Sequence, residues 1–353
     1  MRAVGLCLSP RGAVAALGLL LAQAVWGQTV GATFGEVIRL GYTASDVVLD
    51  ESRECLYLVN TNANRVDIYS YRDKGLVSWI PVGNTPGVLT ETTAQLTVAL
   101  TFAAARRIVE ADTFMRAGRF RGWLPTLFLG ELLWRKTVGI IGAGRIGSAY
   151  ARMMIEGHKM DLIYYDIQRN AALEQYVADY GGFLSQHGDQ PVTCTRADTV
   201  EQVFAEADVL SLHPPLDATT HHLVNAQRLA LMKPNAILVN SSRGPVVDEA
   251  ALVEHLRAHP DFRVGLDVFE DEPAVKPGLA ELPNAVIVPH IASATSWTRE
   301  GMATLAASNV SAILLGYPVW QGPDISPFLG DHPPKAAPSI VNAEELKLPS
   351  LQG

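Results

Sequence analysis

Three short segments late in the sequence each place a polar side chain just after an apolar run. Arg243 lies in NSSRGPVVD, Glu272 in GLDVFEDEP and His290 in VPHIAS. A guanidinium pairs bidentately with a carboxylate, and an imidazole titrates near neutral pH, so these residue types can bind an organic acid and move a proton. Taken singly, each also has an ordinary interpretation: a surface arginine, one acid of an exposed run, or a packed histidine. Their chemistry depends on the fold that positions them.

A second constellation is the glycine motif GAGRIG, which consists of Gly142, Ala143, Gly144, Arg145, Ile146 and Gly147. It stands between an apolar run and a helical run, the context in which G-x-G-x-x-G binds a dinucleotide, although an empty glycine turn is the alternative. Asp166 ends the next apolar run, nineteen residues after Gly147. A carboxylate there binds the ribose hydroxyls and repels a 2′-phosphate, so NAD is favoured over NADP. Arg169, three residues after Asp166, would weaken this preference for NAD.

The elements that carry these residues alternate between strand and helix patterns. Predicted strands cover 138–142, 162–166, 208–212, 236–240, 263–267 and 285–288, with helices such as 145–154, 200–207 and 249–258 between them. This alternation predicts a Rossmann-type doubly wound parallel sheet, an α/β fold. The polar segments then lie at its carboxyl edge, where such sheets bind ligands. Before the sheet, the helical period of 90–115 predicts one long amphipathic helix.

The first 82 residues have a different character. Residues 1–27 combine flanking arginines with an uncharged stretch too short to span a bilayer, which predicts a signal peptide, with a buried N-terminal helix as the alternative. Residues 28–82 hold four β-type runs separated by turn residues and predict a short all-β segment. Residues 30–82 resemble a single repeat of secreted YVTN-type β-propellers. A single blade cannot close a ring.

Composition excludes several classes of protein. The 353 residues carry a net charge of −8, 48% hydrophobic and 18% charged residues, so the chain is neither disordered nor a typical nucleic-acid binder. Three cysteines without C-x-x-C spacing predict no metal site, and whether Cys55 and Cys194 pair is open. No stable membrane span is expected. We predict an NAD-binding domain over 83–316 and a Pro-rich tail over 317–353.

Residues 82 to about 345 resemble the D-isomer-specific 2-hydroxyacid dehydrogenases, and within them plant-type hydroxypyruvate reductases (glycerate dehydrogenases). The resemblance rests on TVGIIGAGRIGSAYARMM, LIYYD, SRGPVVDE, VGLDVFEDEP, VPHIASA and WTREGMATLAA. It implies NAD-dependent hydride transfer between NADH and a small 2-keto or 2-hydroxy acid such as hydroxypyruvate or glyoxylate.

The resemblance also implies a role for each candidate residue. Arg243 holds the substrate carboxylate and keto oxygen, His290 acts as general acid or base, and Glu272 orients His290 and favours its protonated form. Asp267 binds the nicotinamide carboxamide, and Ser293 neighbours the substrate. The residues implied to line the cofactor cleft are His213, Pro214, Pro215, Leu216 and Ser241. His213 has an equally good structural interpretation.

The chain departs from the family pattern before residue 83. The family's catalytic domain there is largely missing, and the blade-like segment stands in its place, which suggests a fusion. Apolar helix faces at 90–115 and 298–316 are left without their usual cover, and we therefore predict a homodimer or aggregation.

Three functional hypotheses follow. The leading one is an active 2-hydroxyacid dehydrogenase. The second is an NAD-binding module with impaired catalysis, because one wall of the substrate cleft is absent. The weakest is a secreted propeller-type binding protein. The localisation is open, since the signal peptide predicts export whereas NAD-dependent chemistry predicts the cytoplasm.

Overall fold

The computed structural model describes residues 47–51, 53–60, 65–81, 83–322, 324–341, 343–344 and 347–352. The predicted signal peptide, 1–27, lies outside these residues. The chain divides into two compact units. One contains the described residues up to Asn84 with Asn309–Gln321 and Lys335–Gly353, and the other contains Thr85–Ser308 with Gly322–Pro334. The predicted domain limit at 82–83 lies next to the division at Asn84, whereas the limit at 316–317 falls inside Asn309–Gln321. Both limits remain predictions.

The first unit begins with a four-stranded antiparallel sheet. Its strands, in both chain order and sheet order, are β1 (Val47–Asp50), β2 (Cys55–Asn60), β3 (Arg65–Ser70) and β4 (Gly75–Pro81). Leu58 and Tyr69 are buried. Turn residues separate short runs of β-branched and aromatic side chains, and this local pattern is why the all-β character was predictable.

A seven-stranded parallel sheet forms the second unit. Its strands are β5 (Thr137–Ile141), β6 (Asp161–Tyr165), β7 (Cys194–Arg196), β8 (Val209–Leu212), β9 (Ile237–Asn240), β10 (Arg263–Leu266) and β11 (Ala285–Ile287). The order is β11-β10-β9-β8-β5-β6-β7. The chain therefore runs outward from β5 and then crosses back to β8. This confirms the doubly wound prediction and places the topological switch between β5 and β8.

Helices cover both faces of this sheet. The described helices are α1 (Thr90–Ala105), α2 (Ile108–Arg116), α3 (Arg145–His158), α4 (Ala171–Gln186), α5 (Val200–Glu206), α6 (Ala226–Leu229), α7 (Glu249–Ala258) and α8 (Ser296–Leu314). Those that pack against the sheet in its two core clusters include α1, α3, α4, α5 and α7. One core cluster includes Leu100 of α1, Met154 of α3 and Val177 of α4, while the other includes Phe204 of α5 and Leu252 of α7. Because both faces are covered, strands such as β8 and β9 are buried along their whole length.

The helix predicted over 90–115 is interrupted. It ends at Ala105 and restarts at Ile108, because Arg107 adopts a left-handed backbone with φ of 55°. The Arg107 guanidinium pairs with Glu110 through Nε at 3.0 Å and Nη2 at 2.6 Å. Glu110 also accepts a hydrogen bond from the buried Arg263 at 3.2 Å. Apolar periodicity misses this break because the position of α2 depends on ion pairs, one of which joins Glu110 to the distant Arg263.

The C-terminal residues of the first unit form a small parallel pair, β12 (Val319–Trp320) with β13 (Ser350–Leu351). Ala337 and Ile340 pack with it in a separate apolar cluster. Both described cysteines are free thiols, and burial raises the pKa of Cys194 to about 12. Among the described helices, none is both long and apolar enough to cross a bilayer.

Candidate active site

The glycine motif forms the turn between β5 and α3 and fits a dinucleotide's pyrophosphate. Gly142 has a φ of 91°, and a Cβ there would come within 2.8 Å of the His213 carbonyl carbon. Beside Gly144, in contrast, a Cβ would meet no heavy atom within 4 Å. No side chain caps the first turn of α3, so its N–H groups face this open space. Backbone donors at a helix N-terminus, next to a position kept free of Cβ, suit phosphate oxygens.

Asp166 follows β6 and lies beside the glycine turn. Its Oδ2 accepts the Ala143 N–H at 2.7 Å, and its Oδ1 accepts the Gln168 N–H at 2.9 Å. Each carboxylate oxygen has a second acceptor position. The two hydrogen bonds fix the carboxylate at the carboxyl edge next to the glycine turn, where the prediction assigned it to ribose hydroxyls.

Glu272 and His290 form a hydrogen-bonded pair. The Glu272 Oε2 lies 2.9 Å from His290 Nδ1, and its Oε1 accepts the Phe269 N–H at 3.0 Å. Burial acts to raise the pKa of Glu272, but the hydrogen bonds from His290 and Phe269 hold this pKa below its ordinary value. Within the described residues, His290 Nε2 has no protein hydrogen-bond partner. Glu272 thus orients the imidazole through Nδ1, and Nε2 is the nitrogen available to a ligand in the cleft.

Asp267 fixes the backbone around His290. It is fully buried, and its two oxygens accept the N–H groups of Ile291 at 2.6 Å and Ala292 at 2.8 Å. Its carbonyl accepts the His290 N–H at 2.9 Å. Burial raises the pKa of Asp267, while the two backbone hydrogen bonds oppose that rise. Asp267 thus also holds the backbone of residues 290–292 in place. The sequence analysis missed this role because it depends on the path of the chain after β11.

Arg243 follows β9 in a turn built by Asn240. The buried Asn240 accepts the Ser242 N–H at 3.0 Å and donates to the Arg243 carbonyl at 2.9 Å. The Arg243 side chain is exposed, and its Nη1 donates to the Ser242 carbonyl at 2.7 Å. Ser241 Oγ lies 2.7 Å from Thr97 Oγ1 of α1, so this hydroxyl is engaged with the protein. The turn leaves the guanidinium directed at an accessible cleft.

His213 follows β8 at the switch point, and its ring is neutral at physiological pH. Burial lowers the pKa of His213 to about 3. Its Nε2 lies 2.9 Å from the Oγ of the buried Ser211, and its ring lies 5.5 Å from that of Tyr150. These contacts and the lowered pKa support the structural interpretation of His213.

A cleft of 790 Å³ joins much of the predicted site. Its lining includes nine predicted residues, Ile146, His213, Pro214, Pro215, Leu216, Ser241, Arg243, His290 and Ser293. Glu272 lies outside it and lines a second cavity of 530 Å³ behind His290. The remaining predicted residues, which do not line the cleft, are Gly142, Gly144, Arg145, Gly147, Asp166 and Asp267. Those six occupy the turn and strand ends around the cleft.

The cleft also contains residues that the sequence analysis did not assign. They include Leu89, Thr93, Arg299 and Met302. Thr93 lies on α1, and Arg299 and Met302 lie on α8, far in sequence from the strand ends. The segment WTREGM was part of the family resemblance, which was the available signal for Arg299. Among the described residues, no cluster of His, Cys, Asp and Glu is arranged to hold a metal ion.

Comparisons with known proteins identify the family of the chain. Residues 98–292 match the NAD-binding domain of D-isomer-specific 2-hydroxyacid dehydrogenases. The chain is 63% identical over 289 residues to peroxisomal glycerate dehydrogenase HPR of Arabidopsis thaliana, covering 81% of this chain and 74% of that one. It is 44% identical to glyoxylate reductase of Thermococcus litoralis, over 72% and 71% of the two chains.

A solved structure is also similar. D-lactate dehydrogenase with NAD+ from Lactobacillus jensenii aligns with a TM-score of 0.55 at 30% identity. The alignment covers 67% of this chain and 69% of that one.

Proposed function

The chain belongs to the D-isomer-specific 2-hydroxyacid dehydrogenases, and from this membership we propose that it reduces hydroxypyruvate or glyoxylate with NADH. At the family level it is an oxidoreductase that uses NAD and acts on small 2-hydroxy acids. The particular substrate is the proposal, and it is supported by relatives named glycerate dehydrogenase and glyoxylate reductase.

One observation carries the proposed roles. His290 lines the same cleft as Arg243, while its Nδ1 lies 2.9 Å from Glu272. A guanidinium for the carboxylate, an acid for the keto oxygen and a carboxylate to orient that acid are the groups that 2-keto acid reduction requires from the protein.

In the proposed mechanism, bound NADH supplies the hydride to the carbonyl carbon. Arg243 pairs with the substrate carboxylate and keto oxygen and so orients the carbonyl and polarises it. His290 donates its Nε2 proton to the keto oxygen, which becomes the product hydroxyl. The Glu272 carboxylate stabilises the imidazolium before that transfer. In the reverse direction, neutral His290 removes the hydroxyl proton.

The protein groups assigned to the cofactor surround this centre. The glycine turn from Gly142 to Gly147, including Arg145 and Ile146, holds the pyrophosphate, and Asp166 holds the ribose hydroxyls. Asp267 is assigned to the nicotinamide carboxamide, and His213, Pro214 and Ser241 are assigned to the lining of the cofactor cleft. Ser293, on the cleft wall, is assigned to the substrate. Because the hydride donor does the redox chemistry, the protein contributes positioning and proton transfer.

The decisive experiment measures NADH oxidation by the full chain with hydroxypyruvate and with glyoxylate. His290→Ala should lower kcat by roughly 10²- to 10⁴-fold, the usual contribution of a positioned acid, with NADH affinity unchanged. Arg243→Ala should raise KM and lower kcat. If His290→Ala turns over the keto acid as fast as wild type, His290 is not the proton donor.

One observation favours the second hypothesis, an NAD-binding module with impaired catalysis. The side chain of His290 is 52% exposed and that of Arg243 is also exposed, so water reaches the reacting groups. Loose placement of about 1 Å costs roughly a hundredfold in rate. NADH binding with no turnover of either keto acid would establish this alternative.

We also propose that the chain forms a homodimer through an apolar arm, defined as residues 108–134. Its exposed apolar side chains are Ile108, Val109, Met115, Phe120, Trp123, Leu124, Leu129, Leu132 and Trp134. The arm is anchored at its far end, where the Glu131 N–H donates to the Ala105 carbonyl at 2.8 Å. Exposed apolar side chains concentrated in one segment are expected to be covered by another protein surface.

Two proposals concern the N-terminal residues. We propose that residues 1–27 are a leader removed from the mature protein, and that residues 30–82 derive from a propeller-type repeat. N-terminal sequencing of the protein from its source tests the first: a mature terminus near Gln28 supports export, and an intact terminus supports a cytoplasmic enzyme. Additional blade repeats in a longer transcript would support the second.

A further inference from the structure

An arginine near the adenosine end of the proposed cofactor site is held by a glutamate. Arg169 lies three residues after Asp166, in the turn between β6 and α4. Its Nε and Nη2 both donate to Glu174 Oε2, at 2.9 and 2.6 Å. The Nε–Nη2 edge of the guanidinium, one of the edges that can bind an anion, is therefore engaged by the protein.

Glu174 is itself anchored to the core. Its Oε1 accepts a hydrogen bond from the hydroxyl of the fully buried Tyr164 at 2.6 Å. Tyr164 in turn accepts the Asn170 N–H at 3.1 Å, and the Asn170 amide donates to the Ala143 carbonyl of the glycine turn at 2.7 Å. Hydrogen bonds from Arg169 and Tyr164 lower the pKa of Glu174, so this carboxylate is ionised at neutral pH. The position of Glu174 thus does not depend on Arg169 alone.

We propose that Glu174 withholds Arg169 from the cofactor and, together with Asp166, makes the site select NADH over NADPH. This inference rests on the cofactor site proposed above. A 2′-phosphate carries close to two negative charges at neutral pH, and its preferred protein partner is an arginine fork. Asp166 repels such a group, and Glu174 occupies the arginine that would compensate for this repulsion.

A second cation lies at the same end and has to be separated experimentally. Arg196 donates from Nη2 to the Asp166 carbonyl at 3.3 Å and also acts on Glu174 by charge. Glu174→Gln is therefore also made in a chain that carries Arg196→Ala. If Arg169 is the residue released, Glu174→Gln should tighten NADPH binding in that chain as well.

The test measures dissociation constants of NADH and NADPH by nucleotide fluorescence, without any turnover. The proteins are the full chain, Glu174→Gln, Arg169→Ala and the double variant. An exposed ion pair is worth little, so Glu174→Gln should tighten NADPH binding by about two- to fivefold and leave NADH unchanged. Arg169→Ala alone should change neither constant, because the arginine is already withheld. The double variant, Glu174→Gln with Arg169→Ala, should lose most of the increase in NADPH affinity.

Three results would overturn the inference. They are unchanged NADPH affinity in Glu174→Gln, a gain that persists fully in the double variant, or weaker NADPH binding in Arg169→Ala alone. The second would mean that only the removal of a negative charge matters. If Glu174→Gln unfolds, Glu174→Ser and Tyr164→Phe provide the same comparison by removing the acceptor or its anchor. A wild-type chain that binds no NADH would refute the cofactor site itself, which is a distinguishable outcome.

Discussion

Glu272 accepts hydrogen bonds with both of its oxygens, from His290 Nδ1 at 2.9 Å and from the Phe269 N–H at 3.0 Å. The second bond ties the carboxylate to its own loop, so the first orients the imidazole against a fixed reference. Glu272→Gln keeps a hydrogen-bonding group but removes the charge. We expect kcat to fall roughly 10- to 100-fold with NADH affinity unchanged, measured by steady-state kinetics and nucleotide fluorescence. Equal losses in kcat and NADH binding would contradict an orienting role.

The same pair influences stability at acid pH. Because the pKa of Glu272 is lower in the folded protein than in the unfolded chain, the carboxylate stabilises the fold above its ordinary pKa. This contribution is lost as the pH falls through the folded value. Urea unfolding of Glu272→Gln and wild type should therefore differ most at neutral pH and converge as the pH falls below the ordinary pKa of a glutamate.

Glu249 is a second carboxylate with a positioning role, and it clamps the loop that carries Glu272. It is 2% exposed and accepts the N–H groups of Glu270 at 2.9 Å and Lys276 at 2.8 Å. Glu249→Ala leaves both donors without this acceptor. It should reduce the free energy of unfolding by about 1–3 kcal/mol and lower kcat.

Glu249→Gln is the matched control for this prediction. It retains one acceptor and should lose less stability and less activity than Glu249→Ala. Hydrogen exchange of the peptide that contains 268–278 reports the loop directly. Unchanged protection in Glu249→Ala would show that Glu249 does not hold this loop.

The parts of this molecule that could be predicted from sequence are those set by local pattern. Apolar runs located six of the seven strands of the parallel sheet, all except the short β7, and the glycine spacing located the turn between β5 and α3. The break at Arg107 was missed because it depends on Glu110 and Arg263, which are far apart in sequence. The contributions of Thr93 and Arg299 to the cleft were missed for the same reason, since only packing brings α1 and α8 to the strand ends.

The neutral His213 predicts a measurable pH dependence of stability. Its pKa falls from the ordinary 6.5 to about 3 in the folded protein because of burial, so the unfolded chain binds the proton first. The free energy of unfolding should fall by roughly 1.4 kcal/mol per pH unit below about pH 6.5 on account of this proton. His213→Asn should remove about one proton from the slope measured between pH 6 and 4.5.

His255 is the control for this slope. Burial, and then the charge of His259, lower the pKa of His255 to about 4, so His255→Asn should also flatten the profile, through a residue outside the cleft. The two variants differ in NADH affinity, which only His213→Asn should weaken. A His213→Asn slope equal to that of wild type would show that His213 is protonated in the folded protein.

The open space beside Gly144 predicts a substitution that separates binding from folding. Gly144 has a φ of −73°, which any residue adopts, and a Cβ there meets no protein atom. Gly144→Ala should leave the melting temperature unchanged but weaken NADH binding about tenfold, equivalent to ~1.4 kcal/mol, because the methyl group occupies the pyrophosphate's approach.

Gly157 provides the comparison for Gly144. Gly144 is the N-cap of α3 and Gly157 lies inside that helix, and a Cβ at Gly157 also meets nothing within 4 Å. Gly157→Ala should raise stability slightly and leave NADH affinity unchanged. If Gly144→Ala binds NADH as tightly as wild type, the pyrophosphate does not lie against this turn.

The apolar arm, residues 108–134, predicts a dimer that one charge can disrupt. The exposed fractions of Trp123 and Leu132 are 82% and 72%. Burial of a leucine contributes about 1.5–3 kcal/mol, and an unpaired carboxylate at the same place costs more. Leu132→Glu should therefore weaken dimerisation at least about a hundredfold in sedimentation velocity, whereas Leu231→Glu, an exposed leucine outside the arm, should not. A monomeric wild-type chain at micromolar concentration, or an unaffected Leu132→Glu dimer, would remove the arm as the interface.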